Sequence, residues 1–389
     1  MKNIGILEVH CHVKFLYTLC KICKTKDTNV TIFTTKSILA RLEKYLENMD
    51  QYDIVVKEGN EGINTFLKRV EKICNKRIDL LFVNTMQVTN YYLPRYFGFN
   101  PKCKKIVTVH TANAWLKQKP VINLKKPILT VDTNLSSFIV RSFILPKFDA
   151  INVIYAPIKD YILKETDYDK KIFTLPFNFY DKTKKIDKKE NKKIQFVLPG
   201  QIEEHRRDYE TVLDAFEKLF NKYPDKIDLH LLGYPVGNYG KLILKKCKKM
   251  KEKGYSIITF DKFIPEEEYN EIISNSDFII SPIKIETGSW GIIQERYGMT
   301  KASAVVFEAI QYAKPLVVPD KFNVIKELET SALKYKSAED LEKILVEHIE
   351  NKNKLKDLEK EAYKNSENFS LGVLQKYFTE EILDKLDSL

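Results

Sequence analysis

Residues 181–200 read DKTKKIDKKENKKIQFVLPG, and the change of character at position 193 decides how the chain is divided. Seven of the first thirteen residues are lysine and only Ile186 is apolar. Such a stretch cannot bury a face, so 181–193 reads as a linker or exposed loop. KIQFVLPG then opens a new strand that ends at Gly200. At 389 residues the length favours two or three domains over one.

Both sides of this break alternate short β-branched runs with helical stretches, the pattern of parallel sheets covered on both faces by helices. In the first half NIGILEV, NVTIFTT, IDLLFVN, KIVTVH, PILTVD and INVIYA read as buried strands, and HVKFLYTLCKICK as a helix. In the second half KIQFVLPG, IDLHLLG, SIITFDKF, DFIISPI and PLVVP read as strands, with helices over DYETVLDAFEKLF and PEEEYNEIISNS. Two helical stretches close the chain, around 338–365 and 371–388. The expected architecture is α/β, two doubly wound, Rossmann-like domains facing one another across a cleft. The boundaries are 1–180, the linker 181–193, 194–368, and a final helix over 369–389 packing back across the joint.

Hydrophobic content of 44% is enough for ordinary cores. No apolar run reaches the ~18 residues of a membrane span, and the stretch Phe138–Leu145 is cut by Arg141. Ile4–Val9 is too short for the core of a signal peptide and reads as a first strand. The six cysteines are scattered, and Cys20-x-x-Cys23 lies in a helical pattern with no second ligand pair, so buried thiols are expected rather than a metal. Free thiols fit a reducing cytoplasm. The net charge of +11 is lopsided: residues 1–180 hold 28 Lys/Arg against 16 Asp/Glu, and residues 181–389 hold 36 against 37. A basic first half implies an acidic partner on that side. No nucleic-acid module is present, so nucleic acid is not expected. NAWLKQKPVINLKK (113–126), with Trp115, Lys117 and three further lysines, suits peripheral contact with an anionic membrane, at its inner face for a cytoplasmic protein.

In open parallel sheets, ligands sit beyond the carboxyl ends of the strands. Gly200 ends one strand, and Arg206 and Arg207 follow just before a helix, where guanidinium groups suit a forked grip on phosphate. Gly233 ends the next strand. In YGMTKASAVVFEAIQYAKPLVVP (297–319), Thr300 and Ser303 are candidate caps of a helix beginning near Ala304. The free amides there and Lys301 would attract phosphate. Glu308, more than one turn inside, suits the hydroxyl pair of a ribose. Together these point to a nucleotide.

The same segments resemble a GT-B glycosyltransferase, closest to the retaining glycosyltransferase family 4 group. The likeness is strongest from 194 to 378, through FVLPGQIEEHRRDYETVLDAF, LHLLG, FDKFIPEEEYNEIISNSDFIISP, FEAIQYAKPLVVP and ENFSLGVLQKYFTEEI. Glu308 takes the place of the second glutamate of the family's acidic-loop motif. Thr300 stands where the first glutamate belongs, Gln201 where an arginine commonly follows the first glycine, and His10-Cys11-His12 where a glycine pair follows the first strand. The resemblance implies that His110, at the end of KIVTVH, faces the donor sugar, and that His10 and His12 lie on the acceptor side.

The expected activity is transfer of a sugar from a nucleotide diphosphate donor to a hydroxyl of a glycan or lipid-linked acceptor. Retention is implied by the resemblance. Arg206, Arg207, Lys301 and the helix start would stabilise the leaving diphosphate. No Asp-x-Asp and no cluster with metal-ligand spacing occurs, so neither metal nor cofactor is expected. Two alternatives stand beside this: a nucleotide-sugar epimerase on the same fold, and an inactive nucleotide-binding scaffold.

Overall fold

A computed structural model describes residues 1–87, 94–116, 120–182, 193–289 and 292–389. Residues 183–192, which hold most of the expected linker, lie outside the described residues, as does Lys117.

The first half forms seven strands: β1 (Lys2–Glu8), β2 (Thr28–Thr34), β3 (Asp53–Val56), β4 (Leu80–Val83), β5 (Lys104–Val109), β6 (Ala150–Val153) and β7 (Lys171–Thr174). They pair in the order β3-β2-β1-β4-β5-β6-β7, parallel throughout. Their sequences run nearly continuously apolar because helices cover both faces. In the second half β8 (Ile194–Pro199), β9 (Ile227–Leu232), β10 (Ile257–Thr259) and β11 (Phe278–Ile280) are followed by a hairpin, β12 (Glu286–Ser289) and β13 (Ile293–Arg296). Then come β14 (Leu316–Pro319) and β15 (Ala332–Tyr335), and the main sheet has the order β10-β9-β8-β11-β14-β15, again parallel. Each sheet therefore reverses its winding once, between β1 and β4 and between β8 and β11. Those are the points where loops diverge and a ligand can enter.

The two sheets are joined by an apolar seam. Phe15 stacks on Phe177 at 5.5 Å between ring centroids, and Phe177 meets Phe307 of the second half at 5.8 Å. The chain crosses between the halves at Tyr180 and returns at Ser370, and the crossings pair as a bridge, with Tyr180 N donating to Phe369 O at 2.9 Å. The final segment then lies on the first domain. Leu374, Phe378, Ile382 and Leu386 are buried, and Gln375 Nε2 donates to Lys21 O and Lys24 O, the last carbonyls of the helix Val13–Cys23. Cys20 and Cys23 are buried inside that same helix.

Two expectations need correction. PILTVD is not a strand: Pro127 takes the first position of a helix, Pro127–Ile139, that continues in helical form to Lys147. Proline at that position costs nothing, because the amide it lacks would have no partner there. This helix is, among the described residues, the one long and apolar enough to cross a membrane, yet it lies along the first domain with Thr133, Ser136, Val140 and Ile144 buried beneath it. Trp115 is not a surface residue. It is only 3% exposed, in the short helix Ala112–Leu116 packed under the hairpin.

Candidate functional site

At the end of β8, Gly200 has φ of +101°, a conformation open to glycine and costly for other residues. A β-carbon there would lie 2.1 Å from Arg207 Nη2, so the guanidinium rests directly on the glycine. At the end of β9, a β-carbon on Gly233 would lie 1.9 Å from Gly200 O. The missing side chains thus let two central strand ends abut and let one arginine cover them. The loop carrying Arg207 is stitched to the chain after β11: Arg207 bridges Ile283, Asp208 N donates to Pro282 O at 2.6 Å, and Lys284 N to Arg206 O at 2.9 Å.

The two arginines separate sharply. Arg206 is exposed and ion-paired with Glu203, and its Nη2 reaches Gln201 Oε1 at 3.3 Å. Its charge is already shared with Glu203, which leaves Arg207 the better placed of the two for a phosphate. Arg207 Nη1 is buried and finds no hydrogen-bond partner among the described residues. A buried guanidinium donor left open this way costs free energy unless something occupies it.

A second open atom lies close by. Glu308, in the helix Ala304–Tyr312, accepts from the Tyr269 hydroxyl through Oε1, while Oε2 is buried without a partner among the described residues. Burial pushes the Glu308 carboxyl upward; the Tyr269 hydroxyl, Lys14 and Arg207 pull the other way. Lys14 belongs to the opposite domain, where its ammonium lies 6.0 Å from the Tyr269 ring and 3.4 Å from Glu266. Neither Lys14 nor Tyr269 was singled out from the sequence.

The start of the Ala304–Tyr312 helix is arranged differently from expectation. Thr300 does not cap it: its hydroxyl accepts from Arg296 N at 2.7 Å, and its carbonyl accepts from Ala112 N of the first domain at 2.8 Å. Ser303 occupies the capping position but makes no capping hydrogen bond through its side chain. Lys301 pairs through its backbone with Thr111, and its ammonium sits 5.3 Å from the Tyr297 ring. Residues 299–301 thus belong to a contact between domains.

Glu295 secures the same contact. Completely buried at the end of β13, it accepts from Asn113 N at 3.4 Å and Ala114 N at 3.0 Å. Asn113 Nδ2 donates to Gln294 O at 2.7 Å, and the Tyr161 hydroxyl to Asn113 Oδ1 at 2.6 Å. Burial lifts the Glu295 carboxyl to about 7, against the lowering influence of Thr300 and of the Ala114 and Asn113 amides. The folded protein then holds a proton that the unfolded chain releases between the ordinary 4.5 and about 7, so this residue makes stability fall as pH rises through that window. Glu295→Gln is expected to remove the fall, leaving the variant more stable relative to wild type at pH 8 than at pH 5 by about 2–3 kcal/mol. Urea midpoints at the two pH values decide; parallel curves would refute it.

In the first domain, Glu8 ends β1 fully buried. Its carboxylate accepts from His10 N at 2.6 Å, Cys11 N at 3.3 Å, the Thr85 hydroxyl at 2.6 Å and Asn84 Nδ2. It occupies the amides that a glycine turn would leave open to an anion. Behind it, His110 Nε2 lies 3.2 Å from Asn84 O and 3.1 Å from His12 Nδ1. The carbonyl only accepts, so His110 carries its proton on Nε2, and His12 Nδ1 lies within hydrogen-bond distance of both that nitrogen and the Thr85 hydroxyl oxygen at 3.1 Å. Burial, aided by His12, lowers His110 to about 3. Burial also lowers His12, and burial with Arg95 and His12 lowers His10 to about 4. His10 Nε2 contacts the Tyr96 hydroxyl. Three neutral imidazoles therefore gather at the first sheet's reversal point. Glu8, Asn84 and Thr85 were missed; the only hint was a carboxylate two residues before His-Cys-His.

A cavity of about 930 Å³ opens at the joint, lined by Lys14, Tyr45, Asn178, Glu266, Gln311 and Lys360 among others, with Asn178 Nδ2 bound to Gln311 Oε1 at 2.8 Å. Neither Gly200 nor Arg207 lines it.

No protein-family model and no curated protein sequence matches the chain. Solved structures do. Anabaena HepE, in complex with UDP and glucose, superposes over 100% of both chains at TM-score 0.63 and 13% identity. The Neisseria meningitidis UDP-GlcNAc 2-epimerase bound to UDP-GlcNAc superposes over 99% of this chain and 100% of its own, at 0.56 and 11%. An α,α-trehalose-phosphate synthase (UDP-forming) from Burkholderia vietnamiensis superposes over 100% of both, at 0.55 and 10%. At such identities the likeness is one of fold, and it agrees with the two parallel sheets and their single reversals: this chain has the GT-B fold.

Proposed function

We propose that the protein takes a nucleotide diphosphate sugar, breaks the bond between sugar and diphosphate, and passes the sugar to a hydroxyl acceptor with retention at the anomeric carbon. The observation that carries this reading is the pair of buried, open atoms at the second sheet's strand ends, Arg207 Nη1 and Glu308 Oε2. A cation for the diphosphate and an anion for ribose hydroxyls are the two recognition elements a nucleotide needs. Solved structures with this fold hold UDP, glucose or UDP-GlcNAc, which supports the same ligand class.

Negative charge gathers on the diphosphate as the bond breaks. Arg207 and the amides beginning at Ala304 meet it in a site screened from water, where fixed dipoles act most strongly. Glu308 receives the ribose through Oε2 while Tyr269 holds Oε1 in place. His12 and His110, both neutral, offer hydrogen bonds on the sugar side. The acceptor, a glycan or lipid-linked hydroxyl, approaches from the first domain.

Epimerisation of the donor sugar is the second reading, favoured by a specific observation: Glu295 holds its proton near neutrality and three neutral imidazoles lie at the opposite strand ends. Such groups can take and return a proton without an acceptor. Incubation with UDP- and GDP-sugars separates the two. Nucleoside diphosphate release that depends on added acceptor supports transfer, an isomeric sugar formed from donor alone supports epimerisation, and no nucleotide binding by calorimetry rejects both.

A further inference from the structure

Of the fifteen exposed large hydrophobic side chains among the described residues, seven fall between positions 122 and 143: Ile122, Leu124, Ile128, Val131, Leu135, Phe138 and Phe143. Leu124 is 89% exposed and Ile128 86%. Residues 128, 131, 135 and 138 recur at three- and four-residue spacing, so they form one stripe along the helix that starts at Pro127. Thr133, Ser136, Val140 and Ile144 on the other side are buried in the domain. The helix is thus fixed flat with its apolar stripe turned outward, the reverse of an ordinary surface helix. Phe143 extends the patch, with ring centroids 6.1 Å from Phe138 and 6.5 Å from the half-exposed Phe97. A contiguous apolar surface of this kind marks an interaction site.

The charges around it choose the partner. Lys125 and Lys126 are exposed at the head of the helix, Arg141 and Lys147 lie half-buried toward its end, and Asp132 is the one acid between positions 122 and 147, while Asp167 and Asp169 share a small pocket with Arg141. A second copy is a poor occupant. Antiparallel pairing would set the lysines of one copy against Arg141 and Lys147 of the other, and parallel pairing would set lysine against lysine. A bilayer surface with anionic headgroups satisfies both features at once, taking the stripe into the boundary of the acyl chains and the cations into the headgroup layer.

We propose that residues 122–143 dock the first domain onto an anionic lipid surface, the helix lying in the plane of the interface. This moves the membrane contact expected at Trp115 to the stripe that follows it, and it stands independently of the nucleotide reading.

The test is sedimentation of the full chain with phosphatidylcholine vesicles, with and without phosphatidylglycerol. Binding is expected to be at least about tenfold tighter with the anionic lipid and to weaken as salt rises. The triple variant Ile128→Ser, Leu135→Ser, Phe138→Ser is expected to lose binding at least about tenfold while keeping its thermal midpoint, because all three side chains are exposed. Lys125→Glu with Lys126→Glu is expected to abolish the preference for the anionic lipid. The proposal is overturned if anionic vesicles leave the protein in solution, if the triple variant binds them as wild type does, or if sedimentation velocity shows a dimer that the triple variant dissociates.

Discussion

Replacing Arg207 by alanine is expected to weaken binding of a nucleoside diphosphate by about 30- to 100-fold, while alanine at Arg206 changes it by less than about threefold. The two residues are adjacent and chemically identical, so the contrast isolates geometry. Arg206 is neutralised by Glu203 and points to solvent. Arg207 lies over Gly200 with a buried, open Nη1, and a hydrogen bond between charged groups is worth about 1.5–3 kcal/mol at such a place. Arg207→Lys keeps the charge but loses the fork, and its affinity is expected to fall between the two. Calorimetric titration with UDP and GDP reads all three variants, with thermal midpoints as the control for folding. Equal losses at 206 and 207 would remove the proposed clamp.

Gly233→Ala is expected to destabilise the second domain by more than about 3 kcal/mol, read as a lowered urea midpoint. The new methyl group would lie 1.9 Å from Gly200 O, 2.5 Å from Gly200 C and 3.0 Å from Gln201 N, all backbone atoms of the neighbouring strand end. No rotamer change relieves such a contact; two parallel strands must separate. Gly200→Ala makes an instructive partner. Its methyl group would meet the far end of the Arg207 side chain, which can swing aside, so its stability loss comes mainly from the positive φ and is expected to be smaller, about 1–2 kcal/mol. Swinging Arg207 aside empties the clamp, so the Gly200 variant should fold yet bind nucleotide poorly. A Gly233 variant as stable as wild type would contradict the strand-end geometry.

The fold was legible where burial on both faces had written continuous β-branched runs, as in IGILE, DLLFV and IQFVLP. It was misread at PILTVD, where an equally apolar run belongs to a helix whose apolar side faces outward. Periodicity finds such a stripe but does not say which way it turns. Trp115 failed for the matching reason: lysines beside it suggested a surface, and only the hairpin packed over it, nearly 180 residues later in the chain, shows why it is buried. Glycines 200 and 233 were recognised because a strand followed by glycine has few other uses. The choice between Arg206 and Arg207 depended on Glu203, three residues before the former, which local spacing suggests but does not decide. Thr300 looked like a helix cap, yet its hydroxyl turns back to the amide of Arg296. Glu8, Tyr269 and Glu295 were invisible for a deeper reason. Their partners are brought by other elements (Asn84 and Thr85, Glu308, and the amides of 113–114), so their roles arise only once the sheets are assembled.

The paired crossings at Tyr180 and Ser370 set the mechanics of the whole molecule. Both covalent crossings lie side by side, so any relative movement of the lobes has to bend the chain at this one place. Because the tail beyond Ser370 is anchored to the carbonyls of Lys21 and Lys24, it travels with the first lobe during any such swing. The lobes are also tied where Glu295 accepts from the amides of Asn113 and Ala114 and where the Thr300 carbonyl accepts from Ala112 N, so a swing that parts them there breaks those bonds.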